Sequence, residues 1–372
     1  MTAARETGKA IQRLRSMAVG ASLFVPTSLE QAVAAMEFVQ YDPIRSPSRA
    51  QDLILHQRVR DYRAGDLGRA YPRLGLEEGY LHVYGAMTPR LAALVDPRTQ
   101  ALPDGTGYAP SGLAAEVLEM VHECEVVHPR EVAARLGNDQ VTNAWGGISS
   151  ATTRALDELH HHWLVRVVGR DRGVKLYGPA RPPAEAAADW DERVRRLTLH
   201  LARTLMPVPV PSLRSALVQL RRRGGIDASL GVDALLRSAA LRQEVVAGLA
   251  YVWPADVPPP AEAAPRKVRL LAPFDPVVWD RRRFEHLWGW QYRFEAYTPV
   301  AKRRFGYYAI PMFAGNQAVG WVQCRTSSGH LSVTVHFVGR RPVGKAFREG
   351  LGREVDRLAR MVGLTVGSVA WR

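Results

Sequence analysis

The residues with the clearest potential for chemistry lie in the stretch FVQYDPI, where the carboxamide of Gln40 stands two positions before the carboxylate of Asp42. Alternate residues of an extended segment share a face, so both side chains would reach one water molecule while Tyr41 packs on the other side. An amide and a carboxylate together can hold and activate water. Because residues 45–58 are basic, we expect that water to attack a polyanion. The alternative is a loop in which Asp42 turns the chain before Pro43.

The composition indicates a folded protein with anionic partners. The 372 residues are 47% hydrophobic and 23% charged, which is ordinary for a folded chain of two or three domains. Lys and Arg number 50 against 36 Asp and Glu, which leaves a formal charge of +14, and most of the cations are Arg, the better ligand for phosphate. This balance favours nucleic acid first and a membrane surface second, the alternative being a generally Arg-rich composition.

The sequence indicates neither a metal site nor a disulfide framework, and it predicts no signal peptide or membrane-spanning segment. Cys124 and Cys324 are far apart in the sequence, so neither a zinc site nor a disulfide framework is expected. His160, His161 and His162 are consecutive and cannot converge on one ion from a helix. The start of the chain lacks the apolar core of a signal peptide, and no run approaches about 18 apolar residues. We therefore expect a cytoplasmic, nucleoid-associated protein with no metal, no cofactor and no membrane partner.

The helix and strand patterns predict an α+β fold, mainly helical, in four segments. Residues 1–110 are expected to form a first winged-helix-like domain with the QYD motif, and 111–180 a second winged helix of three helices and a hairpin. Residues 186–256 would form a third helical or winged-helix-like module, and 266–372 a C-terminal α+β domain rich in strands. The third helix of a winged helix enters the DNA major groove, although many such modules bind proteins or act as spacers.

Short basic runs lie beside aromatic residues in the C-terminal segment. WDRRR begins at Trp279 and KRR begins at Lys302. Arginines next to exposed aromatic rings suit contact with the phosphates and bases of nucleic acid, whereas the alternative is that the rings pack in the core. We expect phosphate contacts from six residues: Arg45, Arg49, Arg281, Arg282, Lys302 and Arg303.

Three stretches of the chain resemble the YcaQ/AlkZ family of bacterial DNA glycosylases. They are FVQYDPI at 38–44, NAWGGISSATTRALDELHHHWLVRVV at 143–168, and LLAPFDPVVWDRRRFEHLWGWQYRFEAYTPVAKRRFGYYAIPMF at 270–313. The resemblance covers nearly the whole chain and implies tandem winged helices. The family's catalytic motif is Gln, any residue, then Gln or Asp. The resemblance therefore implies that Gln40 and Asp42 are catalytic and that the chain is YcaQ-like, since that branch carries Asp.

The resemblance implies a monofunctional DNA glycosylase that releases cationic N7-alkylguanine and bulky adducts from double-stranded DNA and unhooks interstrand crosslinks. Its role would be DNA repair or self-resistance to a genotoxin. A base that carries positive charge leaves readily, so water activated by Asp42 and oriented by Gln40 would suffice. No lysine lies beside the motif, so a lyase step is not expected, and we expect a monomer. Two alternatives stay open: a winged-helix transcription regulator, which would dimerise on a palindromic site without needing the motif, and a protein that sequesters an alkylating metabolite.

Overall fold

The structure is a computed structural model that describes residues 2–96, 98, 108–142, 148–182, 190–224, 227–228, 231–258 and 267–372. These residues form a mixed α/β fold, in agreement with the predicted mixture of helices and strands. None of the described helices is long and apolar enough to cross a membrane.

Helices predominate in the first half of the chain. Helix α2 begins with a capping box, because the Ser28 side chain accepts from the N–H of Gln31 while the Gln31 side chain accepts from the N–H of Ser28. The elements of this half are α1 (Thr2–Ser22), α2 (Leu29–Met36), β1 (Phe38–Gln40), α3 (Ala50–His56), α4 (Asp66–Ala70), β2 (Glu77–Tyr80), β3 (Tyr84–Met87), α5 (Pro89–Val95), α6 (Leu113–Cys124), α7 (Pro129–Leu136), β4 (Gln140–Thr142), β5 (Ile148–Ser150), α8 (Ala151–His161), β6 (Val165–Asp171) and β7 (Val174–Pro179).

Strands are more frequent in the second half. Its elements are α9 (Trp190–Thr204), β8 (Val208–Pro209), α10 (Val210–Gly224), α11 (Gly231–Arg237), β9 (Leu241–Val246), β10 (Leu249–Pro254), β11 (Val268–Leu270), α12 (Pro276–Trp279), α13 (Arg281–Trp288), a short 3-10 helix (Val300–Lys302), β12 (Ile310–Ala314), β13 (Gln317–Ser327), β14 (His330–Phe337), α14 (Lys345–Val362) and β15 (Thr365–Trp371).

The chain divides into two compact units. The first comprises Met1–Asp66, Arg195–Leu217 and Ala228–Arg372, and the second comprises Leu67–Val194 and Val218–Asp227. Each unit combines stretches that are distant in the sequence, whereas the four predicted segments follow sequence order. The four-segment division therefore stays a prediction about modules rather than a description of the compact units.

The first unit contains a five-stranded sheet with the order β11-β12-β13-β14-β15. Neighbouring strands are antiparallel except β14 and β15, which are parallel and are connected through α14, since a parallel pair needs a crossover. Helix α14 buries Phe347, Leu351, Val355 and Leu358, whose spacing of three and four residues places them on one face. A separate aromatic core of the same unit includes Phe284, Trp288, Trp290 and Tyr292.

A buried ion pair ties three helices of the first unit together. Arg58 and Asp275 are both fully buried, and their contacts measure 2.7 and 3.0 Å. The remaining donors of Arg58 reach the backbone oxygen and hydroxyl of Ser22 and the backbone oxygen of Ile54, so all five donors have partners. Asp275 also caps α12 by accepting from the N–H of Val277. The pair therefore fixes the ends of α1 and α3 against α12.

The second unit contains the segment 111–180. Helices α6, α7 and α8 pack on the hairpin β6–β7 around a core that includes Val121, Leu156 and Tyr177. The three helices and the hairpin were predicted from the sequence, but the short strand pair β4–β5 was not. Its strands have only three residues each, too few for a recognisable alternation of polar and apolar residues.

Candidate functional site

The QYD motif lies where a strand ends and a turn begins. Strand β1 stops at Gln40, so Gln40 and Asp42 are not alternate residues of one strand as the extended-segment argument assumed. Instead, Oδ1 of Asp42 accepts from the N–H of Ile44 at 3.0 Å, which is the turn of the alternative interpretation. The backbone N–H of Asp42 donates to Oε1 of Gln51 at 3.4 Å. The turn and the contact with Gln51 on α3 hold the carboxylate in place.

Helix α3 supports this turn through a buried carboxylate. Asp52 accepts from the hydroxyl of Ser48 at 2.9 Å, from the hydroxyl of Tyr62 at 3.0 Å and from the N–H of Gly65 at 2.9 Å. These bonds fix the approach to α3 and the loop that follows it. Because Gln51 precedes Asp52 on the same helix, the partner of the motif is held by the same network.

Asp42 itself is a half-buried carboxylate with one oxygen available. Burial raises the pKa of Asp42, and the hydrogen bond from Ile44 opposes that rise. Asp42 forms no ion pair with any described residue, and its Oδ2 and the Gln40 carboxamide form no hydrogen bond within the described ranges. In a chain with 14 more cations than anions, a half-buried carboxylate without a cation is unusual. Both groups can therefore bind water or substrate.

Two tyrosines from the loop before β12 are affected by the charge on Asp42. The pKa of Tyr297 and that of Tyr308 are both raised, first by burial and then by the charge of Asp42. Tyr297 is 79% exposed, Tyr307 is 47% exposed and Tyr308 is 2% exposed. Tyr297 was among the aromatic residues that the sequence places beside the basic runs, but Tyr307 and Tyr308 were missed. Their only signal was the tyrosine-rich stretch itself, which does not reveal a partner more than 250 positions earlier.

The tyrosine-bearing loop, residues 295–308, is held by internal bonds. Glu295 accepts from the N–H of Phe305 at 2.7 Å and from the N–H of Gly306 at 3.2 Å. Gly306 has a φ of 98°, and a Cβ there would collide with the side chain of Gln323. Arg303 donates to the carbonyl of Thr298 at 2.7 Å. The aromatic rings near Asp42 are thus presented by a fixed backbone.

The six predicted phosphate ligands fall into different environments. Arg45, Arg282 and Lys302 are exposed, and their side chains form no ion pair with a described residue, whereas Arg49 is half-buried before α3.

The other two predicted ligands have donors engaged inside the protein. Arg281 donates to the carbonyls of Val278 at 2.6 Å and Pro273 at 2.9 Å, and its guanidinium lies 4.6 Å from the centre of the Tyr292 ring. Arg303, besides its bond to Thr298, lies 5.2 Å from the ring centre of Tyr307. The role of all six as phosphate ligands stays a prediction.

His160, Cys124 and Cys324 belong to neither a metal site nor a disulfide among the described residues. His160 is buried, which lowers its pKa to about 4, and Cys124 and Cys324 are free thiols. Across the described ranges, no group of three or more His, Cys, Asp or Glu is placed to hold a metal ion.

Comparison with known proteins agrees with this fold. A family model described as "DNA glycosylase AlkZ-like" matches residues 33–361, and this range includes both the motif and the tyrosine-bearing loop. The structure of DNA glycosylase AlkZ from Streptomyces sahachiroi is similar with a TM-score of 0.61, over 97% of this chain and 99% of that chain, at 16% sequence identity. At that identity the structural likeness shows the fold alone. The family match covers most of the chain and confirms the resemblance, so the chain belongs to the AlkZ-like family of DNA glycosylases, hydrolases that act on N-glycosyl bonds.

Proposed function

We propose that this DNA glycosylase hydrolyses the N-glycosidic bond of cationic N7-alkylguanine in duplex DNA, including bulky adducts and interstrand crosslinks. The observation that carries the proposal is the environment of Asp42. Its carboxylate is half-buried and has no ion-pair partner among the described residues, and one of its oxygens forms no hydrogen bond with them. A carboxylate in that state can act on a cationic substrate without first being released from a salt bridge.

The reaction that suits these groups is attack of water on C1′ of the damaged nucleotide. The transition state has oxocarbenium character at C1′, and Asp42 stabilises that positive charge. Oδ2 of Asp42 takes a proton from the water as its oxygen bonds to C1′. The electron pair of the C1′–N9 bond passes to the base, which leaves uncharged because alkylation had made it cationic. Gln40 both donates and accepts hydrogen bonds, so it can fix the direction of attack.

The site favours substrates whose base can leave without being protonated by a strong acid. The pKa values of Tyr297 and Tyr308 are raised, so these two phenols protonate a departing base poorly. A neutral lesion such as uracil needs more help at its leaving group than a cationic base needs. The motif has no flanking lysine, so we propose monofunctional hydrolysis without a Schiff base.

Tyr297 is the residue best suited to contact the damaged base. Its ring is 79% exposed, although aromatic rings of that size are usually buried. The ring packs edge-on against Phe294, with 6.1 Å between the ring centres. Stacking of such a ring on a base contributes about 1–3 kcal/mol. We propose that Tyr297 stacks on the lesion or its neighbour, and that the open surroundings of this ring accommodate bulky adducts.

The contact with the DNA backbone is assigned to the first unit. Arg45 follows the motif by three residues and is exposed. Arg282 on α13 is also exposed, as are Lys302 and Arg304 in the tyrosine-bearing loop. The helix–helix–helix–hairpin order of 113–179 supports a winged helix there. Its third helix, α8, however, exposes acidic residues, Asp157 and Glu158, which phosphates would repel. We therefore propose that this module acts as a spacer, and that the protein works as a monomer.

Excision from matched duplexes tests the proposed substrate. Each duplex carries one lesion at the same position, either N7-methylguanine, a nitrogen-mustard adduct of guanine or uracil, and the released base is quantified. We expect release of both cationic bases and little release of uracil. Release of uracil at a comparable rate would mean that the site contains an acid, and the selectivity by leaving group would be wrong.

A further inference from the structure

One face of the five-stranded sheet is polar and partly open to solvent. Side chains alternate between the two faces of a strand, and on β13 and β14 the buried set includes Val322, Val333 and Val335, each at most 1% exposed. The set between them is half-buried or exposed, and paired residues of the two strands lie side by side. We call this set the open face; it consists of Trp321, Gln323, Arg325, Ser332, Thr334 and His336.

Helix α14 covers the opposite face of the sheet. Phe337 of β14 follows Val335 by two residues and so lies on the buried face. Its ring is tilted against that of Phe347 on α14, with 6.2 Å between the ring centres, and Phe347 belongs to the apolar face of that helix. The open face therefore points away from the helix that connects β14 to β15, and its side chains are not part of that core.

The tyrosine-bearing loop lies against the open face. The carbonyl of Phe305 accepts from Nε1 of Trp321 at 3.1 Å and from the side-chain amide of Gln323 at 2.6 Å. Lys302 and Arg304, two exposed cations of the loop, lie within three residues of Phe305. The surface proposed to hold DNA therefore continues from the loop onto the open face, because these two hydrogen bonds join them directly.

The open face has the chemistry of a phosphate-binding surface. Arg325 is exposed and forms no ion pair with a described residue, and the hydroxyls of Ser332 and Thr334 form no hydrogen bond within the described ranges. Strands β13, β14 and β15 contain no Asp or Glu, although the chain contains 36. Arginine and hydroxyl side chains contact DNA phosphates, and a surface without carboxylates does not repel them. The ring of Trp321 is already stacked on His336, with 4.7 Å between the ring centres, so the face suits phosphates rather than unstacked bases.

We propose that the open face binds the phosphate backbone of duplex DNA next to the stretch held by the tyrosine-bearing loop. This inference rests on the proposed contact of that loop with DNA. Arg325 lies on the same face of β13 as Gln323 and about 7 Å further along the strand, so it pairs with a phosphate beyond those near the loop. Ser332 and Thr334, the cross-strand neighbours of these two residues, donate neutral hydrogen bonds beside it.

Arg325 in this role adds one phosphate contact to those proposed for Arg45, Arg282 and the loop. Each such contact with duplex DNA contributes about 0.9 to the slope of log K against log salt. The contact needs no lesion. It therefore strengthens the binding of damaged and undamaged duplex equally and leaves the chemical step unchanged.

The test measures binding of an undamaged duplex at several salt concentrations, for the wild type, Arg325→Ala and Arg325→Lys. Arg348→Ala is the matched control, because Arg348 is an exposed arginine of α14, on the opposite side of the sheet, and its loss changes the net charge equally. Arg304→Ala tests the loop in the same series. The melting temperature of every variant is recorded.

We expect Arg325→Ala to bind about threefold more weakly at moderate salt, the effect of losing one exposed charge contact, and to reduce the slope by about 0.9. Arg325→Lys keeps the charge and should keep the slope. Arg348→Ala should match the wild type in affinity and in slope. The melting temperatures of these three variants should stay at the wild-type value, because both arginines are exposed.

An unchanged slope for Arg325→Ala overturns the inference, and so does an equal loss of slope in Arg348→Ala, which would show an effect of net charge alone. If Arg304→Ala reduces the slope while Arg325→Ala does not, the loop contacts DNA and only the inference is wrong. If neither variant reduces the slope, the proposed contact of the loop with DNA is wrong as well. Failure to release N7-methylguanine would contradict the proposed reaction without affecting this test, since the duplex carries no lesion.

Discussion

Replacement of Asp42 by Asn tests the chemistry with a small structural change. The asparagine has the same shape, and its side-chain oxygen can still accept from the N–H of Ile44, a bond of 3.0 Å that holds the turn. What is lost is the negative charge and the ability to take a proton. Any loss of activity in this variant therefore reports on those two properties.

The size of the effect follows from the position of the carboxylate. A unit charge about 4 Å from the developing cation at C1′ contributes about 4 kcal/mol at an effective dielectric constant of about 20. Because Asp42 is only half-buried, solvent screens part of this attraction. We therefore expect a loss of about 2–4 kcal/mol of transition-state stabilisation, which slows excision roughly 30-fold to 1000-fold.

The assay is single-turnover release of N7-methylguanine from a duplex, with binding to undamaged duplex measured in parallel. Asp356→Asn is the matched control, because Asp356 is an exposed carboxylate on α14 in the same unit and its loss changes the net charge equally. The control should excise at the wild-type rate, and both variants should bind undamaged DNA alike. Excision by Asp42→Asn at the wild-type rate would refute the assignment of Asp42 as the catalytic base.

Four further predictions follow from the same geometry. The excision rate should rise with pH through the pKa of Asp42, because only the ionised carboxylate accepts a proton. Burial raises this pKa above that of an ordinary Asp. A pH–rate profile that is flat down to the ordinary Asp range would contradict this prediction. Tyr297→Ala should weaken binding of lesion duplex by about 1–3 kcal/mol while Tyr297→Phe binds normally, and equal binding by both in a titration would rule out stacking. Arg45→Ala should weaken damaged and undamaged duplex alike and reduce the slope of log K against log salt by about 0.9, so an unchanged slope would remove Arg45 from the phosphate contacts. Asp275→Asn leaves the fully buried Arg58 without its anion and should lower the free energy of unfolding by about 3–5 kcal/mol. A chemical denaturation curve that matches the wild type would show that this ion pair does not stabilise the fold.

Local patterns in the sequence predicted much of the fold, whereas the roles of Gln40 and Asp42 stay predictions. The hairpin β6–β7 and the helix α8 follow from short-range rules on alternation and periodicity. Gln40 and Asp42 stood out because their side chains have chemistry suited to water. Strand β1 ends at Gln40 and the Asp42 side chain bonds to the N–H of Ile44, so the shared face of the two side chains stays a prediction. A strand of three residues is too short for its end to be predicted.

The rest of the site depends on contacts that no local pattern encodes. Tyr297 and Tyr308 are brought to Asp42 by the fold of the first unit, although they lie more than 250 residues away in the sequence. The basic runs were equally ambiguous. Arg58 belongs to the basic stretch after the motif, and Arg283 belongs to WDRRR, yet both are buried and donate to internal partners. The composition includes these arginines in the positive charge that favours DNA binding, although they are buried and stabilise the fold instead.

The product analysis of a wild-type reaction tests the central claim most directly, namely that a water held at Asp42 hydrolyses the bond to a cationic base. The protein is incubated with a duplex that contains one N7-methylguanine, and the free base and the strand are followed with time. Our account predicts one equivalent of free 7-methylguanine and an intact strand with an abasic site that breaks only on treatment with alkali. Failure to release the base, or breakage of the strand without alkali, would contradict it.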